Sequence, residues 1–479
     1  MKSIKIILAG LLFIASSSCK KSFLDLAPYN ALPLPVATSS EGNLYTAVNG
    51  LYAGLRNTDL YGRMLPVKGD LMADNTYVRA ANSGRFLDFN DYNITVTSAS
   101  AGAVWTAAYI VIKNANTIIN STLTANANVN QMRGEAYAIR AMVYFDLVRN
   151  FSTPFTVNPT GLGVPIITTF NETLLPTRNT IAEVYKLIND DLNQAYTLMT
   201  YNFGTSMSLA GTNIVRAMNT SYFTKYAARA LQAKVYMHMG DWANAKTAAL
   251  DVVTNSGVTV VTNANYITYW KNPAPLATKV ETLFEVTNDL SNNNGTNALA
   301  YMYDQNGYGD ILVTNDLVSK YRATDVRLQL ITTAAGPTYI VAKYPNTLTS
   351  TDKDDVKLLR YSDVILILAE AYARTADEPN ARIRVNQIAQ NREPAFIGYA
   401  STGQQLLDDI ILERRKELAF EGDRFFDLQR LNLPINKVRR ENPNTLLPIA
   451  ANDFRRIFPI PTVETDVNTN IRSQQNAGY

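Results

Sequence analysis

Two stretches of this chain repeat one spacing of small and aromatic residues, and that spacing constrains the fold more than any other feature. The first is AARALQAKVYMHMGDWANAKTAALDVV, residues 227–253, which carries Ala233, Tyr236 and Ala245. The second is RYSDVILILAEAYARTADEPNARIRVNQIAQNR, residues 360–392, which carries Ala369, Tyr372 and Ala381. The intervals are three and nine in both copies. Residues three apart share a helix face, and Gly240-Asp241 breaks the first copy between its two halves. Small residue, aromatic, turn, small residue is the tetratricopeptide arrangement of a helical hairpin. A third unit begins at Arg133, with Ala141 and Tyr144 in the same relation. Its second helix is displaced by the Pro-, Thr- and Gly-rich loop Ser152 to Asn179 and resumes in TIAEVYKLINDDLNQAYTL. A weaker fourth pair is Glu41 to Arg56 with Val104 to Asn120. Such a hairpin cannot bury its apolar face alone, so the units must stack. The expected fold is mainly α: a tetratricopeptide-like helical repeat scaffold with long irregular loop insertions and a few short β-strands. Hairpins are expected near residues 41–120, 133–198, 227–253 and 360–392, followed by a C-terminal block over 404–479.

Two insertions lack helical patterning, near residues 70–97 and 258–310. The second contains the strand-like ETLFEV and the loop NDLSNNNGTNALAYMYDQNGYGD. Long loops on a rigid scaffold are where binding residues concentrate. The first offers Asp74, Asn75, Tyr77, Arg79, Phe86 and Tyr92; the second offers Trp270, Asn293, Tyr301, Tyr303 and Tyr308. Aromatic rings beside amides and charges suit the apolar faces and hydroxyls of a sugar. Trp105 and Trp242 lie in helical stretches and read as core. The acidic TDKDD, residues 351–355, has no EF-hand pattern and reads as a solvated loop.

Several chemistries are excluded by what is scarce. The single histidine, His238, cannot build a His₂ or His₃ zinc site. It sits before Gly240 at a helix C-terminus, where the dipole favours a cation or donor. No catalytic triad, P-loop or dinucleotide fingerprint occurs. The net charge is +3 with no basic stripe, which argues against nucleic acid. No metal or cofactor is expected. At the N-terminus, Lys2 and Lys5 precede an apolar run, Ile6 to Ala15, and then Ser16-Ser17-Ser18-Cys19. That run is too short to span a bilayer but suits an export signal. The only cysteine stands where a bacterial lipoprotein signal is cut, so residues 1–18 read as the signal, Cys19 as the lipidated residue, and 19–479 as one domain.

One block, ILERRKELAFEGDRFFDLQR, spaces Glu413, Glu417 and Glu421 four apart, with Arg414, Lys416, Arg424 and Arg430 among them. On a helix these acids form one slanting stripe. Like charges so placed repel and require cations. Arg414 and Lys416 are placed to answer Glu417 and Glu413, with a break at Gly422. With Phe420, Phe425 and Phe426 crowding the same turn, the block is expected to be a buried ion network and not a catalytic pair.

These pieces, in this order, resemble the SusD/RagB family of outer-membrane nutrient-binding lipoproteins. The resemblance is carried by CKKSFLDLAP, WTAAYIVIKNANTII, RGEAYAIRAMVYFDLVRNFS, RYSDVILILAEAY, ILERRKELAFEGDRFFDLQR and the terminal FPIPTVETDVNTNIRSQQNAGY. It implies a SusD-like, non-enzymatic protein held on the outer face of the outer membrane by its lipid. Such a protein binds an oligosaccharide or a peptide and delivers it to a SusC-like TonB-dependent transporter. A lipoprotein glycoside hydrolase and an outer-membrane assembly scaffold are the competing classes.

Overall fold

The computed structural model describes residues 38–169, 171, 173–271, 280–333, 338–346 and 354–479. The signal segment, Cys19, FLDLAP and Thr351–Lys353 lie outside the described residues. The main helices are α1 (Glu41–Leu55), α2 (Met64–Leu71), α3 (Ala99–Ile119), α4 (Ala127–Phe151), α5 (Ile181–Leu198), α6 (Lys225–Met239), α7 (Trp242–Asn255), α8 (Tyr361–Arg374), α9 (Glu378–Arg392), α10 (Gly403–Glu417) and α11 (Arg424–Arg430). Successive helices pack as hairpins: α3 on α4, α4 on α5, α6 on α7 and α8 on α9. Helix α7 also lies against α8, which joins the two in-register repeats although more than 100 residues separate them in the chain.

The repeat is built as the small residues require. Ala233, Ala245, Ala369 and Ala381 are fully buried, which lets helix backbones approach closely. Both hairpin turns use the same device. Gly240 adopts a left-handed φ of 72° after α6, and Asp241 then caps α7 by accepting from Asn244 N–H. In the second copy Ala376 takes φ 61°, and Asp377 caps α9 by accepting from Asn380 N–H. Thr180 and Glu183 form a reciprocal capping box that restarts α5 after its displacing loop.

The strands are β1 (Thr76–Val78), β2 (Thr282–Val286), β3 (Ile311–Val313), β4 (Ile331–Thr333), β5 (Tyr339–Val341) and β6 (Val356–Arg360). Four of them make an antiparallel sheet in the order β1-β3-β5-β4, and β2 pairs antiparallel with β6. Two short hairpins, 206–217 and 435–449, complete the sheet structure of the described residues.

The acidic stripe lies where these elements meet. Glu413 contacts Arg327 at 2.6 Å and Lys416 at 2.7 Å. Glu417 contacts Arg392 at 2.9 Å, Arg360 at 3.0 Å and Arg327 at 3.2 Å. Glu421 contacts Lys343 and Arg360, each at 2.7 Å. Burial pushes the Glu417 carboxyl up, but Arg392 and Arg360 outweigh it and hold the group well below the usual carboxylate range. Two details differ from the sequence reading. Helix α10 ends at Glu417, because Phe420 and Gly422 both take left-handed φ, so Glu421 lies beyond the helix. Arg414 does not pair with Glu417; it reaches Asp363 at 2.7 Å and Asp427 at 3.3 Å. Most partners come from distant elements, which residue spacing alone cannot reveal.

Gly422 also permits a close backbone crossing. A Cβ on Gly69 of α2 would fall 1.8 Å from the Gly422 carbonyl oxygen, and Gly422 N–H donates to Asp70 at 2.7 Å. His238, in the last turn of α6, is structural. It is buried edge-on against Phe145, and burial together with Arg149 keeps its pKa well below the ordinary value. It is therefore a neutral core group and not a cation on the α6 dipole. At the C-terminus, Asn476 donates to the carbonyls of Phe151 and Phe458, and Gln475 exchanges two hydrogen bonds with Ile460.

Candidate functional site

The two unpatterned insertions are brought together by strand pairing. In the β1–β3 ladder Thr76 faces Val313, Tyr77 faces Leu312 and Val78 faces Ile311. The contact continues past the ladder: Arg79 N–H donates to the Asp310 carbonyl at 2.9 Å, and Ser83 donates to the Asp310 carboxylate. The second insertion is also tied to the α1–α2 turn. Asn294 donates to the Arg56 carbonyl at 2.8 Å, and Leu299 N–H donates to the Gly62 carbonyl at 3.2 Å.

This junction presents a partly exposed aromatic and basic surface. Tyr301 and Tyr308 meet edge to face with centroids 5.2 Å apart. The Arg85 guanidinium lies 3.6 Å from the Tyr308 ring centroid. The next residue, Phe86, takes a left-handed φ of 60°. Its ring stacks on Phe89 at 6.2 Å, and Arg63 lies 5.8 Å from its centroid. Arg63 also donates to Asn297 at 3.2 Å, which bridges the α1–α2 turn to the second insertion. Arg79 is 41% exposed and reaches the Tyr308 carbonyl at 3.4 Å. Phe86, Arg79, Tyr301 and Tyr308 from the sequence reading therefore converge.

The remaining expected ligand residues have other partners. Asp74 makes a bidentate pair with Arg424, at 2.8 Å for each bond. Asn75 is buried, donates to Asp70 at 2.8 Å and accepts from Arg415 at 2.9 Å. Tyr77 packs with Leu312 and Val438 in a small cluster separate from the main core. Tyr92 is buried and donates to the Met72 carbonyl. Trp270 is 1% exposed, with Lys343 3.9 Å and Lys357 4.6 Å from its ring centroid. Tyr303 is 1% exposed and stacks on Tyr344 at 6.0 Å. Asn293 spends its amide on the carbonyls of Asp289 and Leu290, which shapes its own loop. Burial removes Asn75, Tyr92, Trp270 and Tyr303 from a surface site, and ion pairing removes Asp74. Asp355 of the acidic loop is also buried and accepts from Asn288 N–H, so it is not a solvated residue.

Arg63 and Arg85 were absent from the sequence reading. Arg85 adjoins Phe86 and lay within the first insertion, so its position held the signal. Arg63 precedes α2, outside both insertions, and nothing local marks it. Among the described residues, no three His, Cys, Asp or Glu side chains converge as metal ligands.

Comparison with known proteins places this architecture. The sequence model of the SusD family matches residues 338–479. A second, described as "Starch-binding associating with outer membrane", matches residues 22–237. A SusD-like protein of Formosa agariphila is 27% identical over 96% of this chain and 96% of its own length. Another, of Bacteroides ovatus, is 26% identical over 89% of this chain and 82% of its own. The chain belongs to the SusD/RagB family. Solved structures of the SusD superfamily agree with that assignment. A putative sugar binding protein of Bacteroides vulgatus superposes with a TM-score of 0.81 at 28% identity, covering 91% of this chain and 98% of that one. A SusD superfamily protein of Bacteroides thetaiotaomicron gives 0.80 at 26% identity, with 91% and 99% covered. Among the described residues, no helix of this SusD/RagB protein is long and apolar enough to cross a membrane.

Proposed function

We propose that this protein binds an oligosaccharide without cleaving it, at the surface that carries Tyr301, Tyr308, Phe86 and Arg85. The observation that carries the reading is the β1–β3 pairing, which brings Arg85 of the first insertion onto the partly exposed Tyr308 of the second, beside Tyr301. Rings offer their faces to the C–H side of a sugar, and arginines hydrogen-bond the hydroxyls. The sugar-binding description of the solved relative from Bacteroides vulgatus supports the same class. A non-enzymatic role fits the carboxylates at hand. A glycosidase needs two acids free to flank a bond, whereas Asp310 is 4% exposed and held by Ser83 and Arg79. The protein is anchored by lipid on Cys19, faces outward from the outer membrane, and delivers its ligand to a SusC-like TonB-dependent transporter.

Isothermal titration of the mature protein against glycan and peptide panels, with chromatography of the recovered ligand, tests the binding role. Retention of intact oligosaccharide is the expected result. Sustained turnover would replace the reading with a hydrolase, and binding of peptides alone would replace the ligand class. Cys19→Ala should move the protein from the membrane fraction to the soluble one.

A further inference from the structure

The aromatic surface carries more positive charge than recognition of a neutral sugar requires. Arg63, Arg79 and Arg85 all border it. The neighbouring acids already have partners. Asp59 lies 3.8 Å from Arg63. Asp310 is held by Ser83 and lies 3.9 Å from Arg79. Asp304 accepts from Asn306 N–H at 2.9 Å within its own loop. Arg85 differs from the other two arginines. Its guanidinium rests on the Tyr308 ring, and among the described residues no carboxylate lies within ion-pairing distance of it. A guanidinium on a ring face with no carboxylate beside it forms a site that an anion relieves. A guanidinium laid flat on a ring keeps its N–H edge free for two parallel bonds to a planar or tetrahedral oxyanion.

We infer that the ligand is an anionic oligosaccharide, whose carboxylate or sulfate group is received by Arg85 beside the Tyr301–Tyr308 pair. This rests on the oligosaccharide reading above and narrows it. The ring pair takes the sugar face and Arg85 takes the charged substituent of that residue or its neighbour. Arg63, 5.8 Å from the Phe86 ring centroid, adds a long-range attraction that salt weakens.

The test is calorimetric titration of the mature protein with three probes: an oligogalacturonate, a sulfated galactan oligosaccharide, and a neutral galactan oligosaccharide of matched length. At least one acidic probe should bind about tenfold or more tightly than the neutral one, with affinity falling as salt rises. A preference for the first or the second identifies carboxylate or sulfate as the group received. Arg85→Ala should abolish that preference, weakening the acidic probe far more than the neutral one, with the thermal melt unchanged; Arg85→Lys should restore part of it. Equal affinity for acidic and neutral probes, or an Arg85→Ala loss that is the same for both, overturns the anionic assignment and leaves the oligosaccharide reading standing. Silence with every oligosaccharide alongside binding of peptides overturns both.

Discussion

Arg392 and Glu417 meet 2.9 Å apart in the interior, and neither side chain is exposed to solvent. Arg392 is the last residue of α9 and Glu417 the last of α10, so this pair locks the ends of two helices together. The same guanidinium also reaches Glu281 at 2.9 Å, next to β2. Charges this deep are stable only while each keeps its partners.

Removing Arg392 leaves two buried carboxylates short of a cation. Arg392→Ala should therefore destabilise the fold by about 3–5 kcal/mol, the range for breaking a buried pair. Urea denaturation checks it; a loss below about 1 kcal/mol, typical of exposed pairs, would contradict the account.

Asp74 predicts a defined acid sensitivity. Burial pushes its carboxyl up, but the hydrogen bonds and charge of Arg424, with Arg415, outweigh that and lower it from 3.8 to about 2. A group lowered on folding stabilises the native state above its unfolded value and loses that contribution as pH falls through the folded value. Asp74 should add about 2 kcal/mol at neutral pH, and the contribution should vanish between about pH 4 and pH 2. Asp74→Asn should be less stable than the parent at pH 6, with the gap closing toward pH 2. A gap that does not change with pH would refute it.

Ala376 holds a left-handed backbone that glycine holds in the other repeat. The residue is exposed, so substitution disturbs no packing. Ala376→Gly should stabilise the protein by up to about 1 kcal/mol, and Gly240→Ala should cost about as much. Thermal melting of the two variants should show opposite shifts.

Trp270 and Tyr308 should separate stability from binding. Trp270→Ala empties a space among Tyr269, Tyr344 and Lys343 and should cost about 3–5 kcal/mol of stability. Tyr308→Ala removes a partly exposed ring and should leave the melt within a few degrees of the parent while weakening ligand binding about tenfold or more. Parallel melts and titrations decide it. Weak binding by a folded Trp270→Ala protein together with normal binding by Tyr308→Ala would move the site elsewhere.

The residues themselves announced the helical frame. Ala233, Tyr236 and Ala245 recur as Ala369, Tyr372 and Ala381 because a hairpin of fixed geometry needs small residues at fixed contacts. The need for a cation beside each of Glu413, Glu417 and Glu421 could be stated in the same way, since helical spacing and charge are local properties. Which loop aromatics face solvent was not local. Tyr303 and Tyr301 are two positions apart, yet one stacks on Tyr344 in the core and the other meets Tyr308 at the surface. Nor did spacing name Arg327, Arg360 and Arg392 as the partners of the acidic stripe. The sequence by itself determined the periodic elements and their demand for burial and countercharge, because those follow from neighbours a turn or a few turns away. Only the tertiary structure decided which charges met, which rings were sealed in, and that Arg85 was set over the Tyr308 ring without a carboxylate partner among the described residues, because those depend on strand pairing and helix stacking across hundreds of residues.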